Sequence, residues 1–348
     1  MDYIHTGSMP WLPNFSISVE GDDITEIVRK NLISLTLKDH GAGSKKSDEF
    51  TFSVVSDVMK LPPKGVKISV AIGFGGELVN KGTFVVDARS SGQSSGGPRI
   101  IEITARAFSK TNERGHSTLQ SQKTRSFSDI TLGDLMLTVA SEHGLTARVD
   151  SRLVNVSVAH VDQLGESDMN LMTRIAGQFG AVSKITHDYW VLSPRDSDTT
   201  VSGKPLPVRT ITPDMCEQWR YHDNSDHPSV SSDTKGSGTI IIPYTDMADG
   251  GKVKSLKVGS GEPVFTYPSN QPSLKDAQYV AGGTTKHVAK KLRGMSMTLP
   301  ATPELMGMTA EGKITTEGFG SVEDRTWKVG RIEFQLQPKG LTISLELE

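Results

Sequence analysis

Most of this chain alternates apolar and polar residues in short runs, and at three places the period lengthens to that of a helix. That contrast limits the possible folds more than any other feature. The sharpest change lies in TRSFSDITLGDLMLTVASEHGL, residues 124–145. Leu132, Leu135, Met136, Val139 and Ala140 recur there at i, i+3, i+4, i+7 and i+8, one face of an α-helix. Thr131 with Asp134 forms a capping box, and Gly144 is placed to end the helix in a left-handed turn. A second helix is expected from Ser167 to Phe179, with Leu171, Met172, Ile175 and Ala176 on its apolar face and Gly180 beyond it. A third, capped by Ser273, carries Leu274, Ala277, Val280, Ala281, Val288 and Leu292, although Gly282-Gly283 weakens its middle.

Elsewhere the two-residue period predicts strands. Before residue 115 they are Phe15–Val19, Leu32–Leu37, Glu49–Val55, Val66–Phe74, Gly82–Ala88 and Arg99–Ala107, with no helix of ordinary length among them. The turn-rich stretches KDHGAGSKKSD, LPPKG and RSSGQSSGGP separate them. Residues 148–161 read as extended chain, and AVSKITHDYWVLSP as a hairpin turning at His187-Asp188. Val208–Thr212, Gln218–His222, Ser229–Ser232 and Thr239–Pro243 follow, and four strands close the chain. The expected fold class is mixed α+β, mainly β: two antiparallel β-barrel-like domains, residues 1–118 and 199–348, flank an α+β domain at 119–198. An insertion with a helical segment occupies 244–293 of the second β domain.

Composition narrows the function. A net charge of −2 gives no basic field to gather nucleic acid, and no sequence-specific nucleic-acid partner is expected. No run reaches the ~18 apolar residues of a membrane helix, so stable membrane insertion is not expected. The start, MDYIHTGSMP, lacks the plan of a secretory signal. Cys216 is the lone cysteine, which excludes a disulfide or thiolate cluster within one chain and reads as a small buried hydrophobe.

Motifs of catalysis do not emerge: there is no G-x-S-x-G elbow opening a helix, since GQSSG at 92–96 lies in a turn-rich stretch, and no H-E-x-x-H or phosphate-binding G-x-x-x-x-G-K-[ST]. GFGG at 73–76 lacks a third glycine and opens no helix. HDNSDH offers candidate metal ligands in His222, Asp223, Asp226 and His227, all able to hold a divalent ion. The plainer reading of six consecutive polar residues between strands is a solvated loop. His160 and Asp162 suggest a proton relay, but a strand end leading into the Ser167 cap explains them equally. Lys123 and Arg125 could meet phosphate or a carboxylate, against a default of a solvated interdomain link. The expectation is therefore a binding or structural protein with no catalytic residue and no cofactor.

The order of motifs resembles a known family. LQSQKTRSFSDITLGDLMLTVASEHGLTARV followed by HVDQLGESDMNLMTRIAGQFGAVSKI is similar to the late control protein D family, the baseplate hub proteins of P2-like and Mu-like contractile phage tails. That family shares its fold with the N-terminal hub part of VgrG spikes. The match rests on Thr124, Arg125 and Ser126 leading into Thr131-Leu132-Gly133-Asp134, on His143-Gly144-Leu145, on Gln163, Glu166, Ser167 and Asp168, and on Phe179-Gly180-Ala181. PNFSISVEGDDIT at 13–25, KKLRG, Pro303–Leu305 and Trp327-Lys328-Val329 follow in the family's order; residues 257–273 do not align. The resemblance implies a homotrimer whose paired β domains make a pseudo-sixfold ring. Its partners would be the tail spike protein and the tail tube protein or tube-initiating baseplate proteins, with the tape-measure protein as a candidate in the channel. It implies assembly in the host bacterial cytoplasm and a place in the virion baseplate. Two other functions compete: a hub-associated cell-wall hydrolase, and the hub part of a type VI secretion spike, whose β-helical spike would be a separate polypeptide.

Overall fold

Alternation becomes strand through the first region: β1 (Pro13–Val19), β2 (Asp22–Asp23), β3 (Leu32–His40), β4 (Glu49–Val55), β5 (Lys67–Phe74), β6 (Glu77–Gln93) and β7 (Arg99–Arg106), with a five-residue helix α1 (Thr25–Arg29) before β3. The computed structural model describes residues 12–41, 46–107, 118–186, 188–195, 197–223, 238–262, 264–290 and 293–348, with the backbone alone for 283–290. β6 outruns the expected Gly82–Ala88 because it serves two partners. Its first half pairs with β5 and its second with β7, so one strand turns the corner of the sheet.

The middle region comprises β8 (Gln122–Thr131), α2 (Leu132–Glu142), β9 (Thr146–Val149), α3 (Ser151–Val154), β10 (Ser157–Ser167), α4 (Asp168–Gln178), β11 (Ala181–Thr186) and β12 (Tyr189–Pro194). The Thr131 hydroxyl accepts the Asp134 N–H at 3.0 Å, and Gly144 takes φ +65° beyond the last turn, as the spacing predicts. Ser167 caps α4 in the same way, accepting from Asn170 N–H at 3.3 Å. Two expectations fail locally. The stretch around Lys123 and Arg125 is a strand from Gln122 onward, not a solvated link. The extended run after Gly144 is broken by α3, because Asp150 caps a turn by accepting from Arg152 N–H at 2.9 Å. Leu132, Leu135, Met136 and Val139 of α2 pack with Leu171, Met172 and Ile175 of α4 and with Trp190 in a core separate from that of the large sheet. Gly133 permits this packing: a Cβ there would lie 2.7 Å from Val154 Cγ2 and 2.8 Å from Val154 O.

The last region supplies β13 (Val208–Ile211), β14 (Gln218–Asp223), β15 (Gly238–Asp246), β16 (Lys252–Ser260), β17 (Val264–Thr266), α5 (Leu274–Lys290), β18 (Arg293–Pro300), β19 (Lys313–Thr316), β20 (Thr326–Gln337) and β21 (Gly340–Leu347). The expected strand at Ser229–Ser232 lies outside the described residues. α5 runs through Gly282-Gly283, and Ala277, Val280 and Ala281 pack on Ile240, Ile242 and Tyr244 of the inserted sheet β16-β15-β17. The insertion leans on the α+β unit, with the Tyr279 and Phe179 rings 5.3 Å apart.

The two β regions join edge to edge. One sheet runs β14-β18-β21-β20-β3-β4-β7-β6-β5-β1-β2, and its seam is the antiparallel pairing of β3 with β20: Leu35 with Leu336, Leu37 with Phe334, Asp39 with Ile332. Phe50, Phe52, Ile101 and Ile103 from the first region share one core with Ile332, Phe334, Ile343 and Leu345 from the last. Removing a ring such as Phe334 from a core this closed costs about 3–5 kcal/mol.

Candidate functional site

The described part of the HDNSDH stretch is not arranged as a pair of ligands. His222 and Asp223 are successive residues of β14, so their side chains leave opposite faces of the strand. Asp223 already accepts from Arg293 Nε at 2.9 Å and from the Tyr221 hydroxyl at 3.2 Å. The His222 ring lies over Gly294, where a Cβ would come within 2.5 Å of Cε1. Asp226 and His227 lie outside the described residues.

His160 and Asp162 do meet. Residues i and i+2 of β10 share a face, and their cross-strand partners are Ser128 and Ser126 of β8. The Ser128 hydroxyl is 2.8 Å from His160 Nδ1, His160 Nε2 is 3.1 Å from Asp162 Oδ1, and Ser126 Oγ donates to the same carboxylate at 2.6 Å. The connectivity is that of a relay. The setting is an open strand face, with His160 half exposed, so water competes for every hydrogen bond in the line.

The densest polar grouping escaped sequence reasoning. Lys123 and Arg125 share a face of β8 and point at the C-terminus of α2 and the N-terminus of α4. Asp168, fully buried, receives Lys123 Nζ at 2.6 Å, Arg125 Nη2 at 2.8 Å, Gln163 Nε2 at 2.8 Å and His143 Nε2 at 2.7 Å. Glu142 takes Lys123 at 2.6 Å and Arg125 at 2.5 Å. Thr118 Oγ1 lies 3.0 Å from His143 Nδ1 and fixes the ring from behind. Burial would raise the Asp168 carboxyl, but hydrogen bonds from Lys123, Gln163 and His143 outweigh it and hold the group down at about 2. Glu142, His143 and Asp168 come close enough to hold a cation. The chain supplies that cation itself, because an ammonium and a guanidinium already sit between the two carboxylates.

A second grouping lies where all three regions meet. Lys184 of β11 donates to Asp39 Oδ1 at 2.7 Å and to the His40 carbonyl at 2.8 Å, and lies 3.1 Å from Asp48 Oδ2. Asp39 Oδ2 accepts the Ala310 N–H at 2.8 Å, and Asp48 Oδ1 the His40 N–H at 2.8 Å. Lys81 of β6 donates to the Met306 carbonyl at 2.6 Å and stands 3.8 Å above the Phe334 ring. These residues line a cavity of about 440 Å³ whose other walls include Val79, Val182, Val191, Leu206 and Met308. Burial pushes Asp48 up to about 7 against the pull of Lys184, and pushes Lys81 down to about 8 against the pull of Asp39. For Lys184 burial is overcome by Asp39 and Asp48, and its ammonium is held well above the ordinary lysine value.

No protein-family model matches the chain. Across 97% of its length it is 27% identical to the probable baseplate hub protein of Escherichia phage 186, 92% of which is covered. It is 26% identical to the probable baseplate hub protein of Escherichia phage P2, with 93% of that protein covered. The fold is that of a tail protein from Neisseria meningitidis MC58, with a TM-score of 0.70 at 14% identity and coverage of 97% of this chain and 96% of the other. It is equally that of the 43 kDa tail protein of prophage MuSo2 from Shewanella oneidensis, with a TM-score of 0.68 at 15% identity over 97% and 98% of the two chains. An E. coli component of the type VI secretion system shares the fold more distantly, with a TM-score of 0.57 at 8% identity over 95% of this chain and 76% of the other.

Proposed function

We propose that this chain, a structural baseplate hub protein of the phage-tail kind, works as a symmetry adaptor. Three copies close a ring, and each contributes two β regions, so a threefold object offers six like positions. One face of the ring receives the tail tube protein or tube-initiating proteins, and the other holds the spike. The protein acts in the virion baseplate after assembly in the host cytoplasm, and binding, not bond chemistry, is its work. We assign it no catalytic residue, metal or cofactor.

The observation that carries this reading is the seam between β3 and β20. It fixes residues from opposite ends of the chain in one sheet, so both β regions are presented as a rigid pair. A loosely tethered pair would lose orientational entropy each time the ring closed. The division into 1–118, 119–198 and 199–348 belongs to the same reading, with the middle unit carried on the outside of the pair.

Mixing the purified chain with the spike and tube proteins of its own particle tests this. Co-elution with both is expected; failure to bind either would overturn the reading. Incubation with purified peptidoglycan is expected to release no soluble fragments, and measurable turnover would favour the hydrolase instead.

A further inference from the structure

Lys67–Asp188, Lys313–Asp198 and Lys328 on the Arg195 carbonyl join the α+β unit to the β regions near the surface, but the Asp39–Asp48–Lys184 group lies deeper and is built differently from an ordinary ion pair. Two carboxylates from β3 and the start of β4 face a single ammonium from β11. Asp39 reaches a third region through the Ala310 N–H. Apolar packing at this junction is incomplete, because the cavity of about 440 Å³ lies between Val182 and Val191 on one side and Val79, Phe84 and Phe334 on the other. Fewer dispersion contacts hold the unit here than hold its own core, so the charged contact carries a larger share of the seating.

We propose that this group is a proton-dependent latch that sets how firmly the α+β unit is seated on the joined β regions. The proton comes from solvent and resides on Asp48. With Asp48 neutral, Lys184 and Asp39 form a matched, half-buried pair. With Asp48 ionised, the ammonium must serve two carboxylates, one buried and one half-buried, and one of them is left undercompensated. Among the other charged groups facing the site, Lys38 pairs with Glu49, Lys328 with Glu311, and Arg331 with Glu333 and Glu346. Lys81, held by the carbonyls of the 306–308 loop and drawn to Asp39, is itself pushed down to about 8 by burial and gives up its proton above the Asp48 step. His40 and Lys46 also face it, and both bear on the site electrostatically. The cavity gives the Lys184 and Asp48 side chains room to separate without disturbing either core.

The direction follows from linkage. Asp48 is pushed up to about 7 when the unit is seated and returns to the ordinary carboxylate range when it is released. Seating therefore takes up a proton: its extra stability is complete below the ordinary aspartate range near pH 4 and is lost as pH rises through about 7. This behaviour does not depend on what the ring docks with.

Spin labels at Ser141→Cys in the α+β unit and Ser90→Cys in the first β region, in a Cys216→Ser background of the full chain, report the seating as a distance distribution. A single distance is expected at pH 5.5, with the population at other distances rising on the order of ten-fold by pH 8.5. In Asp48→Asn the change centred near pH 7 is expected to be lost. Methyl resonances of labelled methionine give a second readout in the unsubstituted chain: Met308, at the cavity wall, should titrate with a midpoint near 7, and Met136 and Met172 should not. A pH-independent distribution, the same change persisting in Asp48→Asn, or a Met308 signal without a transition in this range would each overturn the latch.

Discussion

Two charge groupings stand out among the described residues, and they differ in closure. Around Asp168 the charges match: Lys123 and Arg125 answer Glu142 and Asp168, and His143 and Gln163 take the remaining lone pairs. All six belong to the α+β unit, so the grouping stabilises one core from within. Around Lys184 the direct contacts are two carboxylates to one ammonium, drawn from three regions. The first arrangement rigidifies; the second ties together parts that each fold around other residues. Burial alone does not separate the two cases, since Asp168 and Asp48 are both buried. Burial raises both carboxyls; hydrogen bonds from Lys123, Gln163 and His143 overcome it at Asp168 and hold that group down at about 2, while Lys184 does not overcome it at Asp48, which stays at about 7.

The largest expected effect breaks the matched grouping. Asp168→Ala leaves two cations facing one another in a partly buried site and is expected to cost about 3–5 kcal/mol, seen as early loss of the α+β unit in urea unfolding. Lys184→Met should cost less, about 2–3 kcal/mol, because Asp48 can neutralise itself by taking up a proton. Its signature is a melt that splits into two transitions, with the α+β unit unfolding independently of the sheet. Acid separates the groupings again. Asp168 contributes stability that is present above the ordinary aspartate value and is lost as pH falls through about 2, roughly 2 kcal/mol in all. Asp48 works in the opposite sense, so its own contribution to seating is kept below pH 4, where stability of the α+β core begins to fall. The smallest effect is a control on local helix energetics: Thr131→Ala removes the α2 cap and should cost about 1 kcal/mol at every pH, with no change in seating.

Period and capping made much of this legible in the sequence. Leu132, Leu135, Met136 and Val139 announce their helix, Ser167 and Ser273 mark the next two starts, and the resemblance read over residues 119–195 extends to relatives matched along 97% of the chain. Partners distant in sequence stayed hidden. Nothing near Leu35 signals that it faces Leu336, and a strand that pairs at its two ends with different neighbours, as β6 does, looks like a strand and a loop. Lys184 sits in an alternating hairpin, and only the docking of another region brings it against Asp39 and Asp48. Lys123 and Arg125 at i and i+2, with an aspartate opening a later helix, carried a signal of a shared site, but it needed the β8–β10 pairing to be read.

In the proposed ring this chain's two β regions form one rigid third, and the mass of the assembled particle tests that most directly. Native mass measurement of the full chain, alone and with its spike protein present, is predicted to give three copies of the chain in the complex. A chain that stays monomeric at high concentration with the spike present, or that assembles in a number not divisible by three, would contradict the account.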